Sequence, residues 1–127
     1  MNERTAMKGK RGLIRLCNAV RYSLDGWRAA WKDEEAFRQI AVVAAVGVPL
    51  AFGIGQSWGD IVLLLLPLAL CLVVELLNSA IENIVDRISL EKHPLAKKAK
   101  DMGSAAQFTA QIFLAMVWCS YLFKLSC

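Results

Sequence analysis

Four polar side chains recur in an otherwise apolar stretch near the middle of the chain, namely Glu75, Asn78, Glu82 and Asp86. On an α-helix, which turns about 100° per residue, they lie at about 0, −60, −20 and +20° and share one narrow stripe. Leucine, isoleucine and valine occupy most of the other positions of this segment. Carboxylates within or at the edge of a bilayer are costly and usually face a bundle interior or a ligand. We therefore interpret this polar stripe as the functional centre.

A solvated helix end that leaves the membrane would also carry acids on its wet side. Two features of the polar stripe argue against that alternative, because apolar turns continue beyond Glu75 and the stripe contains no lysine or arginine. Acidic oxygens beside a cationic segment suggest a divalent metal and a phosphorylated ligand, since Mg²⁺ takes carboxylate and phosphate oxygens. A nearby lysine would neutralise phosphate charge, and a remaining glutamate would accept a proton. An ion-coupled transporter that uses Glu75 fits the spacing equally well.

The composition is typical of an integral membrane protein. Of the 127 residues, 57% are hydrophobic and 20% are charged, and the charges are segregated from the apolar runs. Runs at about 36–54, 61–85 and 105–123 can each reach the roughly 20 residues that a hydrocarbon core requires. We predict an all-α membrane protein with three transmembrane helices. The basic N-terminus lacks the apolar segment of a cleavable signal peptide, and the four scattered cysteines indicate neither a disulfide framework nor a zinc site.

The segment 11–33 has the pattern of a membrane-surface helix. Six apolar residues recur every three or four positions and share one helical face: Leu13, Cys17, Val20, Leu24, Trp27 and Trp31. Basic residues occupy the flanks or the opposite side: Arg11, Arg15, Arg21, Arg28 and Lys32. A helix with this amphipathic pattern lies in the interfacial plane, whereas a surface helix of a soluble domain would need a soluble domain to pack on. Residues 1–10 are predicted to be a disordered tail, followed by a single membrane domain over 11–127.

The basic residues predict the orientation of the chain. They cluster near the N-terminus and in the segment 86–101, whereas the glycine-rich turn 53–60 has none. By the positive-inside rule, the N-terminus and a loop over 86–101 are cytoplasmic, and the 53–60 turn and the C-terminus face outward. The net charge of +4 then indicates contact with anionic lipid headgroups and not with nucleic acid. Small residues at 103–106 allow close helix approach, and a bundle of only three spans suggests a homo-oligomer.

Two segments resemble the bacterial integral-membrane diacylglycerol kinases. One runs from Glu75-Leu-Leu-Asn-Ser-Ala-Ile-Glu82 into Val85-Asp-Arg87, and the other is Ala99-Lys-Asp-Met-Gly-Ser-Ala-Ala106. Ala29-Ala-Trp31 and Glu34-x-Ala-Phe-Arg-Gln39 resemble the N-terminal region of that family. The resemblance implies a homotrimer of three-span subunits in the bacterial inner membrane, each with an amphipathic surface helix. It also implies composite sites between subunits.

The resemblance further implies transfer of the γ-phosphate of ATP to the primary hydroxyl of 1,2-diacylglycerol, which gives phosphatidic acid. Glu75 aligns with the catalytic base and Asn78 with a polar neighbour, whereas Glu34 and Glu82 align with carboxylates that hold a divalent metal, Mg²⁺, on ATP. The positions that match nucleotide contacts are Arg15, Tyr22, Glu34, Glu82, Glu91, Lys92, His93, Lys100 and Asp101. The positions that match the lipid site are Arg15, Ala19, Val20, Arg21, Tyr22, Ser23, Leu24, Arg28, Trp31, Glu75, Ser104 and Trp118.

Two positions depart from the family pattern, and three alternative functions stay open. Lys92 replaces an aromatic residue of the Glu-x-His segment, and Ile40 stands where an acid is expected. Undecaprenol kinases share the central motifs, although the surface helix and residues 34–39 look more like the diacylglycerol enzymes. A small ion-coupled transporter would leave the Lys100-Asp101 pair unexplained. A non-enzymatic membrane scaffold would tolerate loss of Glu82 or Lys100.

Overall fold

The computed structural model describes the backbone of residues 3–127 and the side chains of residues 11–127. It consists of four α-helices: α1 Glu3–Asp33, α2 Glu35–Ile54, α3 Trp58–Ile88 and α4 Pro94–Ser126. No β-strand occurs in the described backbone. Helices α2, α3 and α4 are long and apolar enough to cross a membrane. The prediction of an all-α chain with three candidate membrane spans is confirmed.

Residues 1–34 and 35–127 form two compact units, which are described separately. The first unit contains α1, whose helix begins at Glu3. The predicted disordered tail over 1–10 therefore overlaps α1, whose backbone is helical from Glu3 onward, and residues 1 and 2 lie outside the described backbone. The second unit contains α2, α3 and α4 and all of the core described below.

Helix α3 is the packing partner of both α2 and α4. The buried residues of each helix lie on one face, as expected for helices that pack in a bundle. On α2 they are Phe37, Ile40, Ala44, Gly47 and Ala51. On α3 they are Leu64, Pro67, Leu68, Cys71, Glu75, Asn78 and Ser79, and on α4 they are Gly103, Gln107, Ala110 and Tyr121. Two apolar clusters, Ile40–Cys71–Ala110 and Ala51–Leu64–Tyr121, each take one residue from every helix of the bundle.

The turn between α2 and α3 is short and fixed by local contacts. The Ser57 hydroxyl caps α3 by accepting a hydrogen bond from the Asp60 backbone N–H at 3.1 Å. A Cβ added at Gly55 would lie 2.8 Å from the Ala51 carbonyl oxygen. Glycine at position 55 therefore lets the chain turn directly against the end of α2.

The predicted loop over 86–101 is wrong in extent. Helix α3 continues to Ile88 and α4 begins at Pro94, so the link comprises only residues 89–93. Proline suits the first turn of α4 because its missing N–H has no helical partner there, and the His93 Nδ1 atom caps that turn by accepting from the Leu95 N–H at 3.1 Å. At 1.5 Å per residue, the 31 residues of α3 and 33 of α4 span about 46 and 50 Å. Both helices therefore exceed the hydrocarbon core of about 30 Å, and their polar ends continue as helix.

Candidate functional site

Glu75 is a buried carboxylate in the apolar part of α3. Only 4% of its surface is exposed, and the Ser79 hydroxyl donates to its Oε1 atom at 3.4 Å. The Asn83 side-chain amide in turn donates to the Ser79 carbonyl oxygen at 2.8 Å. Burying a carboxylate among leucine and valine is costly unless it is hydrogen-bonded or used. Its burial is the strongest structural sign of function in the bundle.

The face of α3 that carries Glu75 meets α4. Cys71 packs with Ala110, and Asn78 contacts Gly103. On a helix, Glu75 lies about 40° from Cys71 and about 60° from Asn78. The carboxylate therefore belongs to the same face as two residues that contact α4.

Asn78 lies against the backbone of α4. A Cβ added at Gly103 would collide with the Asn78 Oδ1 atom and lie 3.4 Å from its Cγ. This contact confirms the predicted close approach for Gly103, whereas its small neighbours at 104–106 are exposed. The Asn78 Oδ1 atom is buried and has no hydrogen-bond partner within the described part of the chain. The Oδ1 atom is therefore a hydrogen-bond acceptor in a fixed position, and no donor of the described chain is bound to it.

A cleft of about 890 Å³ lies where the end of α3, the link and the first turns of α4 meet. Five predicted nucleotide contacts line it together: Glu91, Lys92, His93, Lys100 and Asp101. Asp86, the last member of the polar stripe, lines the same cleft. Asp86 follows Glu75 by 11 residues, which is about 16 Å along the helix.

Two close ion pairs set the electrostatics of the cleft. The Lys100 Nζ atom lies 2.6 Å from Asp86 Oδ1, and the Lys97 Nζ atom lies 2.6 Å from Asp101 Oδ2. Both lysines precede the apolar part of α4. The hydrogen bond to Asp86 raises the pKa of Lys100 above its ordinary value, and the charge of Glu82 adds to that effect. The hydrogen bond to Asp101 likewise raises the pKa of Lys97, so both cleft lysines are cations at neutral pH.

The carboxylates of this unit suit a metal ion that takes its remaining ligands from substrate phosphates and water. Among the described residues, no group of three or more His, Cys, Asp or Glu side chains is arranged to hold a metal ion. Glu82 and Asp86 lie one turn apart on α3 and offer hard oxygens, although Asp86 already pairs with Lys100. Mg²⁺ is commonly held by one or two carboxylates plus substrate phosphates and water. The donor set fits that mode.

Trp118 is not grouped with Glu75. Its indole Nε1 donates to the Leu64 carbonyl oxygen at 3.0 Å, and Leu64 precedes Glu75 by 11 residues, again about 16 Å along α3. Ser104 is exposed, on α4 and beyond the residues that line the cleft. These two predicted lipid positions therefore lie at different depths of the bundle.

The remaining predicted site residues belong to the first unit. Glu34 is half-buried, between α1 and α2 in the chain. The others are exposed on α1: Arg15, Ala19, Val20, Arg21, Tyr22, Ser23, Leu24, Arg28 and Trp31. Their roles stay predictions.

Sequence reasoning missed Gln107. Its side chain is buried on the face of α4 that includes Gly103 and Ala110. The available signal was its spacing, because Gln107 lies four residues after Gly103 and three before Ala110 in a mostly apolar helix.

Comparison with known proteins decides the family. The model of the family described as prokaryotic diacylglycerol kinase matches residues 21–122. This chain belongs to the prokaryotic diacylglycerol kinase family. Among similar proteins named diacylglycerol kinase, one from Pseudomonas aeruginosa is 51% identical over 115 residues, which cover 91% of this chain and 94% of the relative.

Two further relatives carry the same name. The Helicobacter pylori protein is 48% identical over 115 residues, covering 91% of this chain and 90% of the relative. The Escherichia coli K12 protein is 45% identical over 113 residues, covering 89% and 93%. The resemblance inferred from the two central motifs is confirmed, and membership in the diacylglycerol kinase family identifies the chain as a lipid kinase.

Proposed function

We propose that this chain is an ATP-dependent diacylglycerol kinase that converts 1,2-diacylglycerol and ATP into phosphatidic acid and ADP. Family membership supports the reaction class. The structural observation that carries the proposal is the buried Glu75 carboxylate on the same helix as a cleft lined by cations. An apolar helix has no packing reason to bury an acid, whereas a lipid kinase needs a proton acceptor at membrane depth.

Glu75 is the proposed general base. Its carboxylate accepts the proton of the primary hydroxyl while the hydroxyl oxygen attacks the γ-phosphorus. The bond from that phosphorus to the bridging oxygen breaks, and the electron pair leaves with ADP. Phosphoryl transfer depends mainly on alignment and on stabilisation of charge. Asn78, one turn further along α3, is the proposed polar neighbour that helps to orient the reacting groups.

The cleft is the proposed nucleotide site. Lys100 and Lys97 supply positive charge toward phosphate oxygens, and Glu91, Lys92 and Asp101 offer polar contacts around them. Because the His93 Nδ1 atom accepts from the Leu95 N–H, a neutral His93 carries its proton on Nε2 and can donate it to a ligand. The proposed contributions of Arg15 and Tyr22 depend on the family resemblance.

Mg²⁺ is the proposed metal. The family resemblance supports Glu34 and Glu82 as the carboxylates that hold it. When bound, it would neutralise charge on the phosphates and help to polarise them. Glu82 lies between Glu75 and the cleft in the chain, which is consistent with a metal close to the transferred group.

The membrane arrangement is part of the proposal. Large apolar side chains of α1 are exposed, among them Leu13, Leu16, Val20, Trp27 and Trp31, which supports a helix lying on the cytoplasmic leaflet and lining the lipid site. Helices α2, α3 and α4 also expose many large apolar residues. Surrounding lipid and two further subunits of a homotrimer would cover them. The proposed location is the bacterial inner membrane, with the N-terminus cytoplasmic and the C-terminus periplasmic.

The test is transfer of labelled γ-phosphate from Mg-ATP to diacylglycerol by the purified chain in mixed micelles. We expect labelled phosphatidic acid from the wild type and at least a 10³-fold lower rate from Glu75→Gln. Size-exclusion chromatography should show the same oligomer for both proteins. Equal turnover by the variant would remove Glu75 from the mechanism.

Acceptor choice is tested in the same assay. Undecaprenol offered in equal amount should receive little label in competition with diacylglycerol. Preferential labelling of undecaprenol would assign the chain to that lipid alcohol instead. Solute flux without ATP hydrolysis in proteoliposomes would support the transporter.

A further inference from the structure

Gln107 is a buried amide whose hydrogen-bonding capacity is unused. Only 6% of its surface is exposed, and neither its Nε2 nor its Oε1 atom has a hydrogen-bond partner among the described residues. Exchanging the two amide atoms would not change this result. An unpaired amide in an apolar interior is destabilising, because its hydrogen bonds to water are lost and not replaced. A buried glutamine with no partner therefore requires an explanation.

The register of the two helices places Gln107 opposite Glu75. Asn78 contacts Gly103, and Cys71 packs with Ala110, so α3 and α4 run antiparallel with matched positions. Gln107 lies between Gly103 and Ala110 and is therefore level with positions 74 and 75 of α3. Glu75 lies on the α3 face that meets α4, as its neighbours Cys71 and Asn78 show.

We propose that Gln107 is a positioning residue for Glu75, to whose carboxylate its Nε2–H group donates through one buried water. This inference rests on the proposed function, in which Glu75 is the base. A carboxylate has about four acceptor sites, so Glu75 can accept a bond from this water as well as the bond from Ser79. Asn78 Oδ1, also buried and unpaired in the described chain, offers a further acceptor for such a water, which needs two to four polar partners.

A purely structural role for Gln107 makes the opposite prediction. If the Gln107 amide has no role in catalysis, replacing it with an apolar side chain of similar size removes a desolvation cost. The stability of the protein then rises or stays the same. The catalytic rate would then stay the same. If the amide orients Glu75, the rate must fall even where stability rises.

The test is Gln107→Met, which preserves volume and removes both amide atoms. We expect kcat to fall about 10- to 100-fold because the base is misoriented. The KM values for ATP and for diacylglycerol should stay within about twofold, since neither substrate loses a contact. The melting temperature in detergent should not fall. Gln107→Leu is the second variant if the methionine protein does not assemble.

Gln111→Met is the matched control, because Gln111 is the next glutamine on α4 and is exposed. It should leave kcat unchanged. Unchanged kcat in Gln107→Met, or a loss confined to KM, would overturn the inference. Glu75→Gln distinguishes a failure of the proposed mechanism from a failure of the positioning role. If Glu75→Gln retains activity, the proposed mechanism fails. If activity depends on Glu75 but Gln107→Met leaves kcat unchanged, only the positioning role is refuted.

Discussion

At the scale of single residues, Lys100 is a surface cation that an ion pair holds in the cleft. Its ammonium group pairs with Asp86 at 2.6 Å, although both side chains keep a large exposed area of 41% and 49%. Exposed pairs of this kind contribute only about 0–1 kcal/mol to stability. Because the bond joins the end of α3 to the start of α4, its main effect is to fix where the charge lies in the cleft.

Asp86→Asn should therefore weaken nucleotide binding more than it weakens the fold. We expect the KM for ATP to rise about 3- to 10-fold because Lys100 loses its orienting partner, and the free energy of unfolding to change by less than about 1 kcal/mol. Steady-state kinetics over a range of ATP concentrations, with thermal unfolding in detergent, would measure both.

Lys100→Met should be far more severe, with phosphorylation lowered about 10²-fold or more, since the proposed nucleotide site loses a cation. Lys98→Met is the matched control, because it removes the same charge from a neighbouring lysine that does not line the cleft. Equal losses in the two lysine variants would indicate a general charge effect and contradict a specific role for Lys100.

At the scale of helices, the sequence predicts which segments are apolar better than where the helices end. Hydropathy identifies the segments 61–85 and 105–123, because these are the apolar parts of α3 and α4 that a bilayer would solvate. The polar continuation to Ile88 and the early start at Pro94 depend on caps and on packing between α3 and α4, which hydropathy does not report. Gln107 is missed for a related reason, because its meaning depends on its register with Glu75.

Gly103→Ala tests the contact between α3 and α4. The added methyl group would collide with Asn78, so the helices must separate or Asn78 must rotate. We expect a loss of about 1–3 kcal/mol in the free energy of unfolding, together with reduced kcat because Asn78 belongs to the proposed site.

Gly53→Ala is the matched control for this substitution, because a Cβ at Gly53 meets no atom within 4 Å. Alanine is the better helix former, so this variant should be as stable as the wild type or more stable by up to about 1 kcal/mol. A Gly103→Ala protein with wild-type stability and rate would contradict the close approach of the helices.

The other end of the bundle should respond to acid. The Tyr121 hydroxyl lies 3.0 Å from Asp60 Oδ2 and 3.1 Å from the Ile54 carbonyl oxygen. Asp60 precedes the apolar run of α3, and the hydrogen bond from Tyr121 lowers the pKa of its carboxyl below the ordinary 3.8. A lowered pKa in the folded state means that this contribution to stability is complete above about pH 3.8 and is lost as the pH falls further.

We therefore expect the melting temperature to fall below about pH 3.8 and the fall to be smaller in Asp60→Asn and Tyr121→Phe. Asp25→Asn, which changes an exposed acid of α1, should keep the wild-type acid dependence. Identical pH profiles for all four proteins would show that the Tyr121–Asp60 bond contributes nothing measurable.

At the scale of the whole molecule, the native cysteines can test the proposed orientation. Cys17 on α1 and Cys127 at the C-terminus are both exposed, and the proposed topology puts them on opposite sides of the membrane. A membrane-impermeant maleimide applied to intact spheroplasts should label Cys127 and should not label Cys17. Cys127→Ser should abolish this labelling, because Cys119, although exposed, lies within the predicted span 105–123. Labelling of Cys17 in intact spheroplasts would reverse the topology.

The separation of 11 positions between Glu75 and Asp86 fixes a distance along α3. A continuous helix hardly shortens or stretches, so a ligand that contacts both the buried acid and the cleft must itself reach about 16 Å. A nucleoside alone, or inorganic phosphate alone, is shorter than this distance and would contact either Glu75 or the cleft, but not both. The length of a ligand would therefore be selected before its chemical groups. The fixed distance would also place the reactive end of the proposed nucleotide beside Glu75, in the apolar part of α3.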